Sequence, residues 1–327
     1  MFTSFFFSKK WIVWSWGGSF LILLGSWIQV EIDVRMNEWF GQFYNTIQQA
    51  LSSPNSIEIN DYYRLLLDIF ILAGEFIFIA VILSFFAKHW VFRWRQAMTI
   101  YFLSHWQELH HIEGASQRVQ EDTKRFANIM ESLGSSLIES ILVLLAFIPI
   151  LWHLSDSINI LPLIGKVDHA PVFVTIFFAL FGTIALGFVG IKLPGLEFNN
   201  QRVEAAFRKE LVLAEDSPDR GEVGLMRGLF NQVRMNYFRL FFHYLYFDVA
   251  KFSYLQAGVI LPYVILAPTI VAGIISLGVM QQIIRAFYRV LDSFQFLVKS
   301  WPTIVELISV FKRLRAFEKA LKIQGQR

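Results

Sequence analysis

Apolar stretches of about 20 residues recur along the chain, separated by stretches that are richer in polar residues. Because about 20 apolar residues in a helix span the hydrocarbon core of a bilayer, the pattern predicts six transmembrane helices. We therefore expect an all-α, polytopic membrane protein whose 327 residues form one transmembrane domain. The predicted spans cover residues 11–30, 62–87, 133–154, 170–191, 237–268 and 274–311.

The first and last of these runs carry further predictions. Residues 11–30 lack a small-residue cleavage pattern and exceed the apolar part of a signal peptide in length, which favours a retained span. The last run keeps its helical pattern to about Phe317, so we expect the sixth helix to be continuous and to project beyond the membrane.

Two polar stretches next to the apolar runs share the letters QRV. The first QRV segment, SQRVQEDTKRF, covers residues 116–126, and the second, GLEFNNQRVEAAFRKE, covers residues 195–210. We expect helices two to five to continue through such stretches beyond the membrane, a shape typical of the membrane domain of an exporter-type transporter. The charges of both segments would then couple movement of the helices, or, as the alternative, form an ordinary solvated helix surface.

Lysine and arginine are distributed unevenly between the predicted loops. With the N-terminus inside, the inside segments hold 21 of these residues and the outside loops hold two, Arg35 and Lys166. Because cytoplasmic loops carry the excess of positive residues, both termini and both QRV segments are predicted to be cytoplasmic. Five tryptophans near span ends are expected to anchor at the membrane interface: Trp11, Trp14, Trp90, Trp94 and Trp152.

Composition and missing motifs restrict the possible functions. The chain is 55% hydrophobic and 17% charged, has no cysteine and carries a net charge of only +3, which argues against disulfides, thiolate metal sites and nucleic-acid binding. It contains no phosphate-binding loop, no zinc-protease motif and no nucleophile elbow, so neither an enzyme nor a metal or other cofactor is expected. The ten residues after Phe317 are too few for an ATPase domain.

Charged residues inside the predicted spans are costly and usually functional. Glu75 and Glu139 are each isolated on a helix, and either could carry a proton or stay protonated and donate to a neighbouring carbonyl. Five charges of helix six follow one another at steps of 4, 3, 7 and 7 and form a single polar stripe. We expect this stripe to line a water-filled cavity, with a dimer interface as the alternative: Arg285, Arg289, Asp292, Lys299 and Glu306.

Several long strings of the chain resemble the SbmA/BacA family of bacterial inner-membrane peptide transporters. They include ALSSPNSIEINDYYR, HWVFRWRQAMTIYFLSHWQELHHIEGASQRVQEDTKRFA, VGIKLPGLEFNNQRVEAAFRKEL, NYFRLFFHYLYF and LVKSWPTIVELISVFKRLRAFE. The resemblance implies a homodimer in the bacterial inner membrane, with a fold like the membrane domain of ATP-binding-cassette exporters but no ATPase. It also implies proton-driven uptake of microcins, proline-rich antimicrobial peptides and bleomycin-like compounds.

The resemblance further implies roles for individual residues. Charged positions of the family carry over onto Arg118 and onto glutamates in and after the QRV segments, and Phe147 matches an aromatic cavity position. Our hypothesis is that the glutamates take part in proton coupling and gating, and that Arg118 holds the deprotonated gate. The glutamates that carry over are Glu121, Glu131, Glu204 and Glu215. The strings MNEWFGQFYNTIQQAL and QRVQEDTKRF are also similar to ATP-driven fatty-acyl and cobalamin-type half transporters, so an ATP-driven transporter with a separate ATPase chain is the alternative. A membrane scaffold that does not transport is a third, weaker one.

Overall fold

The computed structural model describes residues 2–110, 112, 115–156, 158–162, 165–216 and 222–324, and most of them are helical. Turns of π-helix at Val13–Gly17 and Arg118–Asp122 lead directly into long α-helices, and two short antiparallel strands, β1 (Ile160–Leu161) and β2 (Gly165–Lys166), form a hairpin. The α-helices are α1 Phe2–Phe6, α2 Gly18–Ser52, α3 Ile59–Ser104, α4 Trp106–Leu109, α5 Ala115–Gln117, α6 Thr123–Leu154, α7 Ala170–Val189, α8 Leu193–Asp216, α9 Val223–Val271, α10 Leu277–Phe294 and α11 Phe296–Gln324.

The described residues include five helices long and apolar enough to cross a membrane, or six if the bent last pair is one span. This agrees with the prediction of an all-α, multi-pass membrane protein. The predicted first span is too short, however, because α2 continues without interruption to Ser52. Residues 31–52, which were predicted to lie in a loop, therefore form about six further helical turns.

Two predictions of continuous helix are wrong. The sixth helix is interrupted at Gln295, which separates α10 from α11, so the five charges of the predicted stripe are divided between two helices. A break at Gly190–Lys192 likewise separates α7 from α8, so the second QRV segment does not extend the fourth span directly. The extension of the second span ends at Ser104, after 46 residues of α3.

The chain is divided into two compact units, within each of which the helices pack closely. Unit 1 comprises residues 1–177 and 262–327, and unit 2 comprises residues 178–261. That both belong to one transmembrane domain stays a prediction.

An aromatic core lies at one end of unit 1. Phe5 of α1 stacks on Trp94 of α3 with ring centroids 5.8 Å apart, and Trp94 packs edge-on against Phe126 of α6 at 5.5 Å. Trp90 and Trp94 are buried in this cluster. The expectation that these two tryptophans anchor at the membrane interface is therefore wrong, because their rings cover the N-terminal helix.

A second core of unit 1 joins α2, α6 and α10. Phe147 lies fully buried there, packed among apolar side chains such as Val30, Leu151 and Ile284. The structure thus places Phe147 in the core and not, as predicted, on a cavity wall. The ring holds the three helices together by close van der Waals packing, which is what joins apolar helix faces in a membrane.

Unit 2 is built from the end of α7, α8 and most of α9. Gly182 of α7 lies directly under the ring of Tyr254, so a Cβ at this position would collide with the ring. Tyr254 stacks on Phe178 at 4.6 Å and donates a hydrogen bond to the carbonyl of Phe178. Close packing at a small residue is a common way for membrane helices to associate.

Candidate functional site

A buried carboxylate joins α2 to α10 in unit 1. Asp33 is 3% exposed, and each of its two carboxylate oxygens lies 2.6 Å from a guanidinium nitrogen, one from Arg285 and one from Arg289. Both arginines were predicted to line a cavity, whereas Asp33 lies in a stretch predicted to be a loop. A carboxylate removed from water requires such partners, because an unpaired buried charge costs several kcal/mol.

The same helix pair is joined by amide side chains nearer the start of α10. Asn45 and Gln48 of α2 accept hydrogen bonds at 2.9 and 2.8 Å from the backbone N–H groups of Gly278 and Leu277. The first N–H groups of a helix have no partner within that helix, so side chains of α2 satisfy them here. We call the face defined by Asp33, Asn37 and Gly41 of α2 and by Gln282, Arg285 and Arg289 of α10 the α2–α10 seam.

The first QRV segment is tied to α11 by ion pairs. Arg313 donates two hydrogen bonds, at 2.8 and 2.9 Å, to the buried carboxylate of Asp122. Arg125 bridges Glu121 at 2.7 Å and Glu306 at 3.1 Å. The forked geometry of a guanidinium suits a carboxylate, which makes the Asp122 pair both strong and directional.

These contacts change the roles predicted for the first QRV segment. Arg118 was expected to hold the gate carboxylates, but its guanidinium lies 5.4 Å from the ring centroid of Phe317. The arginine that pairs with Glu121 is Arg125 instead. Glu306, predicted to line a cavity as part of the stripe, is the second partner of Arg125.

Glu131 lies in a groove of about 470 Å³ between α2, α3 and α6. It is half-buried, accepts a weak hydrogen bond from the Ser135 hydroxyl at 3.4 Å, and makes no ion pair with any residue that the structure describes. Glu139 lies two turns further along the same face of α6 and also lines the groove. The other polar side chains of the lining are Ser26, Gln29, Ser84, Lys88, Arg95, Lys124, Asn128 and Ser135.

The second QRV segment lies in unit 2. Glu204 is half-buried on α8 and Glu215 is exposed near the end of that helix. One turn before Glu204, the buried Asn200 accepts a hydrogen bond at 3.2 Å from the side-chain amide of Asn236 on α9. The amide pair fixes the position of the segment against α9.

Two more ion pairs involve charges of the predicted spans. Lys299 lies 2.8 Å from Asp292, so these two members of the predicted stripe neutralise each other across the break at Gln295. Glu75, which the sequence places alone on its helix, pairs with Arg35 of α2 at 2.9 Å. The stripe as one continuous cavity wall is therefore not what the structure contains.

Sequence reasoning missed Asp33, Asp122, Arg125 and Arg313. The pair Glu121–Arg125 has i, i+4 spacing, which could have indicated it. No local signal marks the others, because Asp122 and Arg313 are 191 residues apart and Asp33 and Arg285 are 252 apart. Only the packing of distant helices brings these partners together.

The fold and these buried ion pairs define a multi-pass α-helical membrane protein whose helices are joined by charged contacts. A family model described as the SbmA/BacA-like family matches residues 8–322. The chain therefore belongs to the SbmA/BacA-like family.

Curated relatives carry the names of ATP-binding-cassette transporters. The inner membrane ABC transporter ATP-binding protein YddA of Escherichia coli is 25% identical over 314 residues, 89% of this chain and 54% of that protein. An uncharacterized ABC transporter ATP-binding protein of Synechocystis is 27% identical over 70% of this chain and 36% of its own length. ABC transporter D family member 2 of Arabidopsis thaliana is 26% identical over 70% of this chain and 33% of its own length. The chain thus spans about half the length of the first of these relatives, and about a third of the other two.

Proposed function

We propose that this chain imports peptides and peptide-like antibiotics across the bacterial inner membrane, as a homodimer driven by the proton gradient. Membership of the SbmA/BacA-like family over residues 8–322 is the observation that carries the proposal. Microcins, proline-rich antimicrobial peptides and bleomycin-like compounds are the proposed cargo. The dimer alternates between a state open to the outside and a state open to the cytoplasm.

Glu131 is the best placed of the proposed proton carriers. It is half-buried on the wall of a polar groove, and the one hydrogen bond described for its carboxylate comes from the neutral Ser135. A carboxylate that is shielded from water and lacks a cationic partner accepts a proton more readily than an ion-paired one. Glu121, held by Arg125, is better suited to keeping the first QRV segment in place than to binding protons.

The ion pairs of the first QRV segment supply a way to pass movement to α11. Asp122 and Arg313 cannot separate without leaving a buried charge unpaired or exposing it. The first QRV segment and α11 therefore move together. Arg125 reaches Glu306 from the same segment. In our proposal, protonation near Glu131 shifts α6, and the segment carries α11 with it to open the cytoplasmic side.

The proton gradient is energetically sufficient for such a cycle. One charge moving through 100 mV releases about 2.3 kcal/mol, and one pH unit adds about 1.4 kcal/mol. One proton thus supplies roughly 3–4 kcal/mol, enough to accumulate cargo a few hundredfold. ATP is not required by this balance.

Uptake of a labelled proline-rich peptide into proteoliposomes that contain only this protein tests the proposal. With an acidic exterior and no ATP, we expect uptake that a protonophore abolishes. Glu131→Gln should reduce this uptake at least tenfold while leaving the yield of folded protein unchanged, because glutamine keeps the hydrogen bond but cannot carry a proton.

Glu108→Gln is the matched control, since Glu108 is an exposed carboxylate of the short helix α4 and is expected to transport normally. Normal uptake by Glu131→Gln would remove Glu131 from the mechanism. Uptake that is unchanged by the protonophore would refute proton coupling itself.

A second candidate function is that of the membrane part of an ATP-driven transporter. It is favoured by the relatives, which are named as ATP-binding proteins and of which this chain spans about half or less. In that case the first QRV segment would receive movement from an ATPase. The mark of this function is uptake that requires ATP and a partner ATPase and that vanadate inhibits.

A further inference from the structure

The α2–α10 seam carries one positive charge in excess of its negative charge. Two guanidiniums, from Arg285 and Arg289, converge on the single carboxylate of Asp33. One arginine would neutralise that carboxylate, so the cluster of three side chains keeps a net charge of +1. About a quarter of the Arg285 side chain and a third of the Arg289 side chain stay accessible, at 27% and 36%.

Donors of this seam are also left without partners. Asn37 lies one helical turn beyond Asp33 on α2 and is 1% exposed, and neither atom of its side-chain amide has a hydrogen-bond partner among the described residues. The Nε of Arg285 is buried and equally unpartnered within the part of the chain that the structure describes. The Oδ2 of Asp33 is buried without a hydrogen bond from the described residues as well, although the Nε of Arg289 lies 2.6 Å from it. Leaving a buried polar group unpaired costs about 1–3 kcal/mol, so three neighbouring residues in one seam call for an explanation.

The packing of the two helices keeps these donors on one face. Gly41, one turn beyond Asn37, lies directly beneath the side chain of Gln282, and a Cβ there would collide with it. Because residues 33, 37 and 41 of α2 succeed one another at i, i+4 spacing, Asn37 faces α10 between Gln282 and Arg285. Two amides and two guanidiniums therefore line the same stretch of seam.

We propose that the α2–α10 seam is a binding site for the free carboxylate of a ligand. A monovalent anion balances the one spare charge, and its two oxygens accept from the donors that are now unpartnered. Guanidinium and amide groups arranged in this way recognise a planar carboxylate through charge-assisted hydrogen bonds. The cation–π contact of Arg285 with Phe40, at 4.7 Å, holds that guanidinium in position without using its N–H groups.

Two kinds of ligand could supply this carboxylate, the C-terminus of a peptide and the headgroup of a fatty acid. The inference deepens the proposed function and rests on it in part, since a site for a C-terminus would select among peptide cargo. It can nevertheless be tested by binding alone, without a proton gradient. Failure of transport and failure of binding are therefore distinguishable.

The test measures binding of two pairs of probes to the purified full chain in detergent at fixed pH. The first pair is an N-acetylated decapeptide with uncharged side chains, as the free C-terminal acid and as the C-terminal amide, measured by isothermal titration calorimetry. The second pair is dodecanoic acid and its methyl ester, measured directly in the same way. We expect at least one acid to bind about tenfold or more tightly than its neutral counterpart, and the pair that shows this identifies the source.

Two variants separate a binding site from a purely structural cluster. Arg289→Gln removes the spare charge but leaves Asp33 paired with Arg285, and Asn37→Leu removes the unpartnered amide with little change in volume. Both should reduce the preference for the acid to less than threefold. If the amide of Asn37 were only a packing defect, Asn37→Leu would raise the melting temperature and leave the preference intact.

Arg35→Gln is the control, because Arg35 lies on the same helix but pairs with Glu75 outside the seam. It should keep the full preference for the acid. Equal binding of acid and neutral probe in both pairs would overturn the proposal. So would a preference that persists in both Arg289→Gln and Asn37→Leu.

Discussion

The two units of this chain differ in how far charged side chains join their helices. In unit 1, charged side chains reach across helices, as in Asp33 with Arg285 and Asp122 with Arg313. Among the described residues of unit 2, no ion pair joins two helices, and Gly182 instead admits the ring of Tyr254. One membrane protein can therefore fix some helix pairs by directional ion pairs and others by close packing of a ring on a glycine.

The physical consequence concerns how each unit tolerates movement. A buried ion pair fixes both the register and the rotation of two helices, because displacement of either one strands a charge in a poorly solvated place. A ring seated on a glycine depends on close van der Waals contact, which weakens gradually as the helices separate. Substitutions in the two units should therefore have effects of different size.

The largest effect is expected from breaking the α2–α10 ion pairs. Asp33→Ala leaves Arg285 and Arg289 close together with no counter-charge, and should lower the free energy of unfolding by about 3–5 kcal/mol. Denaturant unfolding of the purified protein in detergent, followed by helical circular dichroism, measures this. A loss below about 1 kcal/mol, the size expected for an exposed pair, would contradict the view that charge fixes this part of unit 1.

An intermediate effect is expected in unit 2. Gly182→Val forces the Tyr254 ring out of its contact with α7, and should cost about 1–3 kcal/mol through overpacking. Gly187→Val on the same helix is the matched control, because a Cβ there meets nothing within 4 Å. Equal losses of thermal stability in the two variants would show that shape at Gly182 is unimportant.

The smallest effect is expected from a charged contact of unit 1 that is not buried. The side chains of Arg35 and Glu75 are 46% and 45% exposed, so Arg35→Gln should change the free energy of unfolding by less than about 1 kcal/mol. The same denaturant experiment compares it with Asp33→Ala. A loss as large as that of Asp33→Ala would mean that burial does not decide the strength of these pairs.

Much of the fold could be predicted from the pattern of apolar residues. The third span was predicted to end at residue 154, and α6 ends at Leu154. The errors lie where helices continue past the apolar run or stop within it, as at Ser52 and Gln295. Hydropathy marks the part of a helix that crosses lipid, whereas the ends of the helix depend on contacts beyond it.

The candidate site was predicted less completely, and for a definite reason. Arg285 and Arg289 were singled out because charges inside a span are costly, but their partner was not, because Asp33 follows the apolar run. Glu131 was implied by family resemblance, whereas the groove that it lines requires three helices to be placed. Phe147 was singled out but assigned to the wrong place, since an aromatic residue is equally suited to a cavity wall and to a core.

The class of this protein, its apolar spans and its membership of the SbmA/BacA-like family can be deduced without a structure, because hydropathy and family-specific strings are properties of contiguous residues. Which charged residues form ion pairs depends instead on how the helices pack. Asp33 finds Arg285, and Asp122 finds Arg313, across 252 and 191 residues of chain. Such pairs depend on the rotation and register of packed helices, which no local pattern encodes.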